Sequence, residues 1–427
     1  MATKLPVHEN LKVAIVGQHL DGFFAPSETS VGICTRGLAE ALAGTCSVRV
    51  YGMADGFRRA RRASLHDVEY RILPKPALDT ALFQVLKRAG SMTRFVNRGM
   101  EMPITTSALA YPKYGALVAE DIARDPVDVI LIQHNARRLD PIKRLNPATP
   151  VILHFHAKLL PQELTARYRR DLARAEAVSG VSRFIVEDLR QRLGRDAFLI
   201  RNGVDHALAD TGPAVERSVK KRILYVGAVS PEKGLHDLIA AFNLVHERLE
   251  EVELEIIGGG ARPFSAVFPL SDDPFIPALR PYFEGDYTGM LRALANPEAL
   301  SAIRFLGPVA SRGEVSRHMS AARVLAFPSL CDEGFGLPPA EAMALGTPAV
   351  VTEAGGLAEL IRDGVDGRVV PKADVPGLAD ALTDLLRDDG RWAEIASRAR
   401  RTVRNRYTWQ AAADDFLALA NRLLRAN

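Results

Sequence analysis

The residues best suited to chemistry are two glutamates separated by seven residues, Glu333 and Glu341. They flank a glycine- and proline-rich stretch that follows the apolar run Val324–Phe327, a pattern typical of a strand leading into a helix. Gly334 and Gly336 allow the backbone to approach a ligand, and the N–H groups at a helix start favour an anion. A carboxylate in the first turns of that helix, Glu341, can accept both hydroxyls of a ribose. The alternative is a strand–turn–helix unit whose glutamates face solvent.

A lysine and two histidines follow other apolar runs. Lys233 comes after Ile223–Val226 and opens a helix-like stretch, where an ammonium group is well placed to pair with phosphate. His154 and His156 lie at the end of Val151–Phe155, and strand alternation directs both imidazoles to the same side. Each histidine fits either contact with a sugar hydroxyl or a structural role. No third ligand at recognisable spacing is visible, so a metal site is not expected.

Short apolar runs bounded by Gly, Pro or Asp alternate with helix-like stretches along the whole chain, which predicts an α/β fold with buried parallel strands. The series begins at Lys12 and restarts near Arg222, after a polar linker at 207–221. We therefore predict two Rossmann-like domains that face each other across a cleft, with the ligand at the carboxyl ends of the strands. Their predicted limits are 1–206 and 207–406. Residues 407–427 form a terminal helix, and 261–299 read as an insertion or mobile loop.

The composition is that of a globular protein. The 427 residues are 47% hydrophobic and 25% charged, which excludes a disordered, collagenous or coiled-coil chain. Three distant cysteines fit a reducing compartment, and no signal peptide or membrane span is readable, so a cytoplasmic location is expected.

The positive charge is concentrated in one part of the chain. Residues 57–114 contain eleven Lys and Arg against four Asp and Glu, although the net charge of the whole chain is only +4. The densest part is the cluster Arg58, Arg59, Arg61 and Arg62. Such a patch suits an anionic membrane surface, which would make the protein peripheral on the inner face of a membrane. The alternative is a solvated loop or helix face without a partner. Nucleic acid is not expected, because no aromatic residues interleave the arginines.

Together these residues resemble the retaining nucleotide-sugar glycosyltransferases with two Rossmann-like domains (the GT-B type), in particular glycosyltransferase family 4, or group 1. The matching positions run from Asn202 to Val370. They are Glu333 and Glu341 with their spacing, Gly227 with Lys233-Gly234, Asn202-Gly203-Val204-Asp205, Phe305-Leu306-Gly307, Pro328-Ser329, and Gly355-Gly356 with Glu359. The first half matches only loosely.

The resemblance implies a role for each matching residue. Lys233 would contact the donor diphosphate, with Gly227 nearby, and Glu341 would hold the ribose. Glu333 would hold hydroxyls of the transferred sugar. The stretch Gly334, Phe335, Gly336 and Leu337 would line the sugar and phosphates. His156, or as the second choice His154, would contact the sugar near its anomeric centre, and Gly32 would lie on the acceptor side. The terminal helix would cross back to the first domain.

The sequence departs from the family at two positions. Members usually carry an arginine after the glycine at 227, and this chain has Ala228. A glycine pair is common after the first strand, and here only Gly32 remains.

By this resemblance the protein moves a hexose-type sugar from a nucleoside-diphosphate sugar to a hydroxyl of a glycan, lipid-linked glycan or small glycoside, with retention of configuration. No cofactor or obligatory metal is expected, because no Asp-x-Asp motif occurs. The alternatives are a sugar phosphorylase, a nucleotide-sugar epimerase or a catalytically silent nucleotide-sugar-binding scaffold. A dehydrogenase is weakly indicated by Gly258-Gly259-Gly260, which lacks an acidic ribose partner.

Overall fold

A computed structural model describes residues 10–18, 21, 23, 29–54, 61–88, 110–161, 163–205, 221–260 and 273–426. The chain divides into two compact units. One contains the chain up to Gly203 together with Trp409 onwards, and the other runs from Val204 to Thr408. No helix among the described residues is long and apolar enough to cross a membrane.

The first unit is built on an eight-stranded sheet with the order β3-β4-β2-β1-β5-β6-β7-β8. Its strands are β1 (Lys12–Val16), β2 (Ser47–Ala54), β3 (Arg61–Leu65), β4 (Val68–Pro74), β5 (Val129–Gln133), β6 (Val151–Phe155), β7 (Ala177–Gly180) and β8 (Ala197–Leu199). All neighbours pair in parallel except β3 and β4. The central strands β5 and β6 are fully buried, as expected when helices cover both faces.

The second unit has a six-stranded, wholly parallel sheet with the order β11-β10-β9-β12-β13-β14. Its strands are β9 (Lys221–Val226), β10 (Val252–Ile257), β11 (Ile303–Gly307), β12 (Val324–Phe327), β13 (Ala349–Thr352) and β14 (Arg368–Val370). The chain order reverses between β9 and β12, which are neighbours in the sheet. Ligands of doubly wound sheets bind at such a reversal, outside the carboxyl ends of the strands.

Helices connect the strands in both units. In the first they are α1 (Ser30–Ala43), α2 (Ala77–Arg88), α3 (Pro112–Arg124), α4 (Leu139–Leu145), α5 (Ala166–Leu172) and α6 (Arg183–Leu193). In the second they are α7 (Leu235–Arg248), α8 (Phe275–Ala278), α9 (Arg280–Phe283), α10 (Tyr287–Leu294), α11 (Pro297–Leu300), α12 (Arg312–Ala321), α13 (Leu337–Ala344), α14 (Leu357–Leu360), α15 (Val375–Arg387) and α16 (Asp389–Arg406). The last helix, α17 (Trp409–Ala426), belongs to the first unit.

The structure corrects two local predictions. Arg61 and Arg62 lie in the edge strand β3, not in a loop or helix, while Arg58 and Arg59 lie outside the described residues. The described part of the predicted insertion, from 273 onwards, holds the four short helices α8 to α11. Residues 261–272 and most of the predicted linker, at 206–220, also lie outside the described residues.

The terminal helix packs on α1 through a glycine. A Cβ atom added at Gly37 would lie 2.2–2.6 Å from three atoms of the Trp409 ring, so a side chain there has no room. Around this contact, Ala412, Ala413 and Phe416 of α17 join Leu38 and Leu42 of α1 in the core of the first unit. Helices α1 and α17 are therefore held together by shared apolar burial.

We expect Gly37→Ala to lower the free energy of unfolding by about 1–3 kcal/mol, because the added methyl overpacks the indole contact. Urea-induced unfolding measures this change. Gly44→Ala is the matched control at the end of the same helix, since its Cβ would meet nothing closer than 3.7 Å. Equal stability of the two variants would show that α17 does not depend on this close approach.

Candidate active site

An ion pair joins the loops that follow β9 and β12. The Lys233 Nζ atom donates a hydrogen bond of 2.5 Å to Glu333 Oε1, and the two side chains are only 11% and 16% exposed. The Ser329 hydroxyl donates to the same carboxylate oxygen at 2.8 Å. Because β9 and β12 are sheet neighbours, both charged groups lie at the edge where a ligand of this unit is expected.

The backbone around Glu333 is fixed by the neighbouring loop. Glu333 forms an isolated parallel bridge with Gly355, and the Gly356 N–H donates to the Glu333 carbonyl at 2.7 Å. Gly336 begins α13 with φ of 95°, and a Cβ there would lie 2.3 Å from Leu357. Only glycine fits this left-handed, crowded position, so the α13 start is held against the second loop.

Glu341 is held by an arginine that the sequence analysis did not select. The Arg312 guanidinium, at the start of α12, donates to Glu341 Oε1 at 2.6 Å. The side chains of Arg312 and Glu341 are 26% and 15% exposed, so this pair is partly screened from water. No sequence signal marked Arg312, because its partner is 29 residues away and on another helix.

A cavity of about 460 Å³ opens beside the ends of β9, β10 and β11. Its walls combine apolar side chains with exposed backbone, and the lining residues include Val229, Ile256, Gly258, Tyr287, Phe305 and Pro308. The Gly227 N–H donates to Ile257 O and the Gly258 N–H donates to Gly307 O, which ties the three strand ends together. A cavity lined by apolar side chains with a few polar groups suits an organic ligand such as a nucleobase.

Three histidines gather at the ends of β5 and β6 in the first unit. The His154 and His156 ring centroids are 4.7 Å apart, and those of His134 and His156 are 5.0 Å apart. His154 Nδ1 pairs with Ser179 Oγ at 2.9 Å, and His156 Nε2 pairs with Gln133 Oε1 at 2.9 Å. His154 and His156 thus point the same way, as the strand alternation predicts.

Burial keeps these imidazoles neutral. It lowers the pKa of His156 from 6.5 to about 3. It lowers the pKa of His134 and His154 well below 6.5, with the neighbouring imidazoles adding to the effect. His134 was missed by the sequence analysis, although it lies two residues after the apolar run Val127–Ile132, which predicts a strand. Its φ of 60° is uncommon for a residue other than glycine, and such backbone strain is often found at functional sites.

The other predicted site residues of the second unit lie just after β9 and around the start of α13. Gly227 directly follows β9, and the carbonyl of the next residue, Ala228, accepts a hydrogen bond of 2.7 Å from the Tyr225 hydroxyl. Gly334 is buried, and Leu337 opens α13.

Two predicted residues are used for structure. The Phe335 ring is buried against Tyr407, with centroids 5.3 Å apart. Gly32 lies within α1, not in a loop, and its N–H is already bound to the capping Thr29 hydroxyl at 3.0 Å. Across the described ranges, no group of three or more His, Cys, Asp and Glu side chains is arranged to hold a metal ion.

Comparison with known proteins assigns the fold and family. Residues 212–405 match the family model for glycosyl transferases group 1. A phosphatidyl-myo-inositol mannosyltransferase of Mycolicibacterium smegmatis is 30% identical over 328 residues, which cover 74% of this chain and 77% of the relative.

Two solved structures share the fold at low sequence identity. A sucrose-phosphate synthase of Thermosynechococcus elongatus aligns with a TM-score of 0.71 and 20% identity, covering 98% of this chain and all of the other. The Anabaena protein HepE in complex with UDP and glucose aligns with a TM-score of 0.68 and 20% identity, covering 97% of this chain and all of the other.

The two mostly parallel sheets with flanking helices, together with these matches, thus define a glycosyltransferase of the GT-B fold. The chain belongs to the glycosyl transferases group 1, as the family model and the mycobacterial relative show together.

We expect acid to destabilise the first unit. The unfolded chain binds protons at histidine near pH 6.5, whereas the folded chain keeps His156 neutral down to about pH 3. The stability from neutral His156 is therefore fully present above pH 6.5 and lost as the pH falls towards 3. Between pH 7.5 and 5.5 this histidine should account for about 1.4 kcal/mol of lost unfolding free energy.

Urea-induced unfolding at the two pH values checks the expectation. His156→Gln should reduce the acid-dependent loss by about 1.4 kcal/mol relative to the unmodified protein. His246→Gln, on α7 in the other unit, tests whether removing any histidine gives the same reduction. An unchanged loss in His156→Gln would contradict the neutral buried ring.

Proposed function

We propose that this glycosyltransferase moves a hexose-type sugar from a nucleoside-diphosphate sugar to a hydroxyl acceptor, with retention at the anomeric carbon. The observation that carries the proposal is the Lys233–Glu333 pair beside the start of α13. A cation, a carboxylate and the N–H groups of a helix start lie together at the edge of the sheet where β9 and β12 end. A diphosphate suits the cation and helix start, and sugar hydroxyls suit the carboxylate.

The chemical difficulty of the reaction is charge separation. An oxocarbenium-like centre forms on the sugar while negative charge grows on the departing diphosphate. Lys233 and the N–H groups at the α13 start would stabilise that leaving group as preorganised electrostatics. The departing phosphate oxygen takes the acceptor proton on the same face, so the step needs no dedicated base. Glu333 orients the sugar hydroxyls and forms no bond to the sugar.

The remaining donor contacts follow the same residues. We assign the ribose to Glu341, whose carboxylate Arg312 holds at 2.6 Å, and the nucleobase to the cavity beside Gly258. Gly227, Gly334, Gly336 and Leu337 would supply backbone around the diphosphate and sugar. His156 would contribute a neutral ring that hydrogen-bonds a sugar hydroxyl. None of these roles calls for a metal ion.

The acceptor is proposed from the relatives. The mycobacterial relative is named as a mannosyltransferase of phosphatidyl-myo-inositol, which is a lipid. We propose a lipid-linked or glycan hydroxyl as the acceptor here. A phosphorylase, an epimerase and a silent scaffold each predict a different product pattern. Only transfer releases nucleoside diphosphate in step with an acceptor-linked sugar.

We expect Lys233→Ala and Glu341→Ala each to weaken nucleoside-diphosphate binding by about 1–3 kcal/mol, because each loses a charge-assisted hydrogen bond. Glu333→Ala should chiefly lower turnover, since we assign Glu333 to the hydroxyls of the reacting sugar. Calorimetric titration with nucleoside diphosphates, then assays with the matching sugars and an acceptor panel, measure the two effects.

Arg248→Ala is the matched control, because its ion pair with Asp380 is largely exposed on the same unit. It should bind nucleotide as the unmodified protein does. Unchanged affinity in both Lys233→Ala and Glu341→Ala would overturn the site assignment. The anomeric configuration of the product, read by NMR, decides between retention and inversion.

We also propose that the basic surface attaches the first unit to an anionic lipid bilayer. Arg61 and Arg62 are exposed on the edge strand β3. On the nearby helix in sequence, α2, Leu78 and Val85 are 75% and 62% exposed, one below the other at i and i+7. Cationic and apolar groups together suit the headgroup region of a membrane.

Arg61→Gln combined with Arg62→Gln should weaken binding to anionic vesicles about 30-fold, since each cation near such a surface contributes about 1 kcal/mol. Co-sedimentation with vesicles that contain or lack anionic lipid measures the change. The double variant Arg124→Gln with Arg144→Gln, which removes two exposed helix arginines of the same unit, is the control. Equal pelleting of all three proteins would contradict the attachment proposal.

A further inference from the structure

The segment formed by residues 273–294, which the sequence presents as an insertion, contacts both loops of the donor site. Its helices α8, α9 and α10 belong to the second unit with β9 and β12. Three separate contacts anchor it, one ionic, one apolar and one through a tyrosine hydroxyl. Together they indicate a role for the segment beyond that of a surface loop.

The ionic and apolar contacts hold the Glu333 loop. Lys372 pairs with Asp273 of the segment and, at 2.9 Å, with Asp332, the residue before Glu333. Burial opposes the charge on this lysine, yet the two carboxylates raise its pKa above 10.5. Ile276 and Leu279 bury against Leu330 of the same loop.

The tyrosine contact holds the Lys233 turn. The Tyr287 hydroxyl accepts a hydrogen bond of 3.2 Å from the His236 backbone N–H and lies 2.9 Å from His236 Nδ1. His236 is the second residue of α7, so this N–H is one of the helix-start donors without a partner inside the helix. The N-cap, Gly234, supplies no side-chain hydrogen bond. Tyr287 therefore completes the capping of α7 at His236, which lies three residues after Lys233.

The imidazole of His236 gives the Tyr287 hydroxyl a second partner. Burial lowers the pKa of His236 to about 4, so the ring is neutral at neutral pH and its Nδ1 shares one hydrogen bond with the Tyr287 hydroxyl. The Tyr282 ring stacks on the imidazole with centroids 4.5 Å apart and an interplanar angle of 17°. The backbone N–H and the imidazole of His236 thus both hold the Tyr287 hydroxyl.

Tyr287 also lines the 460 Å³ cavity to which the nucleobase is assigned. We propose that Tyr287 is a positioning residue that fixes the Lys233 turn relative to this cavity, so that base and diphosphate are recognised in one geometry. This inference rests on the proposed function. The inserted segment thereby takes part in donor affinity, although the segment carries none of the ligand-binding residues expected from the family.

Tyr287→Phe tests the proposal, because it keeps the ring on the cavity wall and removes only the hydroxyl. We expect affinity for the nucleoside diphosphate to fall about five-fold, the typical effect of one lost hydrogen bond. Affinity for the nucleoside without phosphates should change less than two-fold. Tyr282→Phe, which keeps the stacking on His236, is the matched control and should bind both as the unmodified protein does. Calorimetric titration measures each affinity.

A double-mutant cycle separates positioning from general damage. In the Lys233→Ala background, Tyr287→Phe should have no further effect on diphosphate affinity, because its action passes through Lys233. A five-fold loss that persists in that background, equal losses for nucleoside and nucleoside diphosphate, or no loss at all would each overturn the inference. If no nucleoside diphosphate binds the unmodified protein, the proposed function fails instead.

Discussion

The ion pair between Lys233 and Glu333 constrains the edge of the second unit where a ligand is expected. The two groups lie in loops that follow neighbouring strands of the sheet, they are 100 residues apart in the chain, and both are largely withdrawn from water. A buried charge that loses its partner is strongly destabilising, so neither loop can move far without the other. The strand order, the bridge from Glu333 to Gly355 and the Ser329 hydrogen bond all serve to bring these two atoms together.

This pairing also defines what a ligand must supply. Lys233 already has a carboxylate partner, so an anionic ligand binds well only if it offers the ammonium group at least as much charge. A diphosphate does so, and a sugar that hydrogen-bonds Glu333 through its hydroxyls compensates the carboxylate at the same time. A donor that carries both parts satisfies both groups, whereas a bare sugar or a bare anion satisfies one. The same logic holds for Glu341 and Arg312, which hold each other at 2.6 Å.

The sequence predicted the strands and the local motifs better than the partnerships between distant residues. Continuous apolar runs such as Val324–Phe327 revealed buried parallel strands, and the glycine- and proline-rich stretch marked the start of α13. Strand β4 was missed because it carries Arg71, which is buried through ion pairs with Asp121 at 2.5 Å and Asp125 at 2.6 Å. A charge in a run argues against burial until its partner is known, and that partner lies about fifty residues away.

The same limit applied to the site. Glu333, Glu341 and Lys233 were predicted from local spacing, whereas Arg312 and Tyr287 contact partners on other elements. His134 had a usable signal, since it follows a predicted strand, but only the neighbouring strand shows that it meets His156. Pairings of this kind depend on sheet order, which periodicity along one chain does not specify.

The histidine cluster of the first unit is neutral, whereas the lysine site of the second unit is charged. With a pKa of about 3, His156 carries no charge at neutral pH and is a poor proton acceptor there, so it is unsuited to general base catalysis. Its Nε2 atom pairs with Gln133 Oε1, a carbonyl oxygen, so the proton lies on Nε2 and Nδ1 remains an acceptor. An acceptor nitrogen on a rigid ring suits a sugar hydroxyl. In the proposed reaction, Lys233 would stabilise the leaving diphosphate, and the acceptor proton would go to the diphosphate itself. The low pKa of His156 agrees with that proposal, because it assigns no base to the protein.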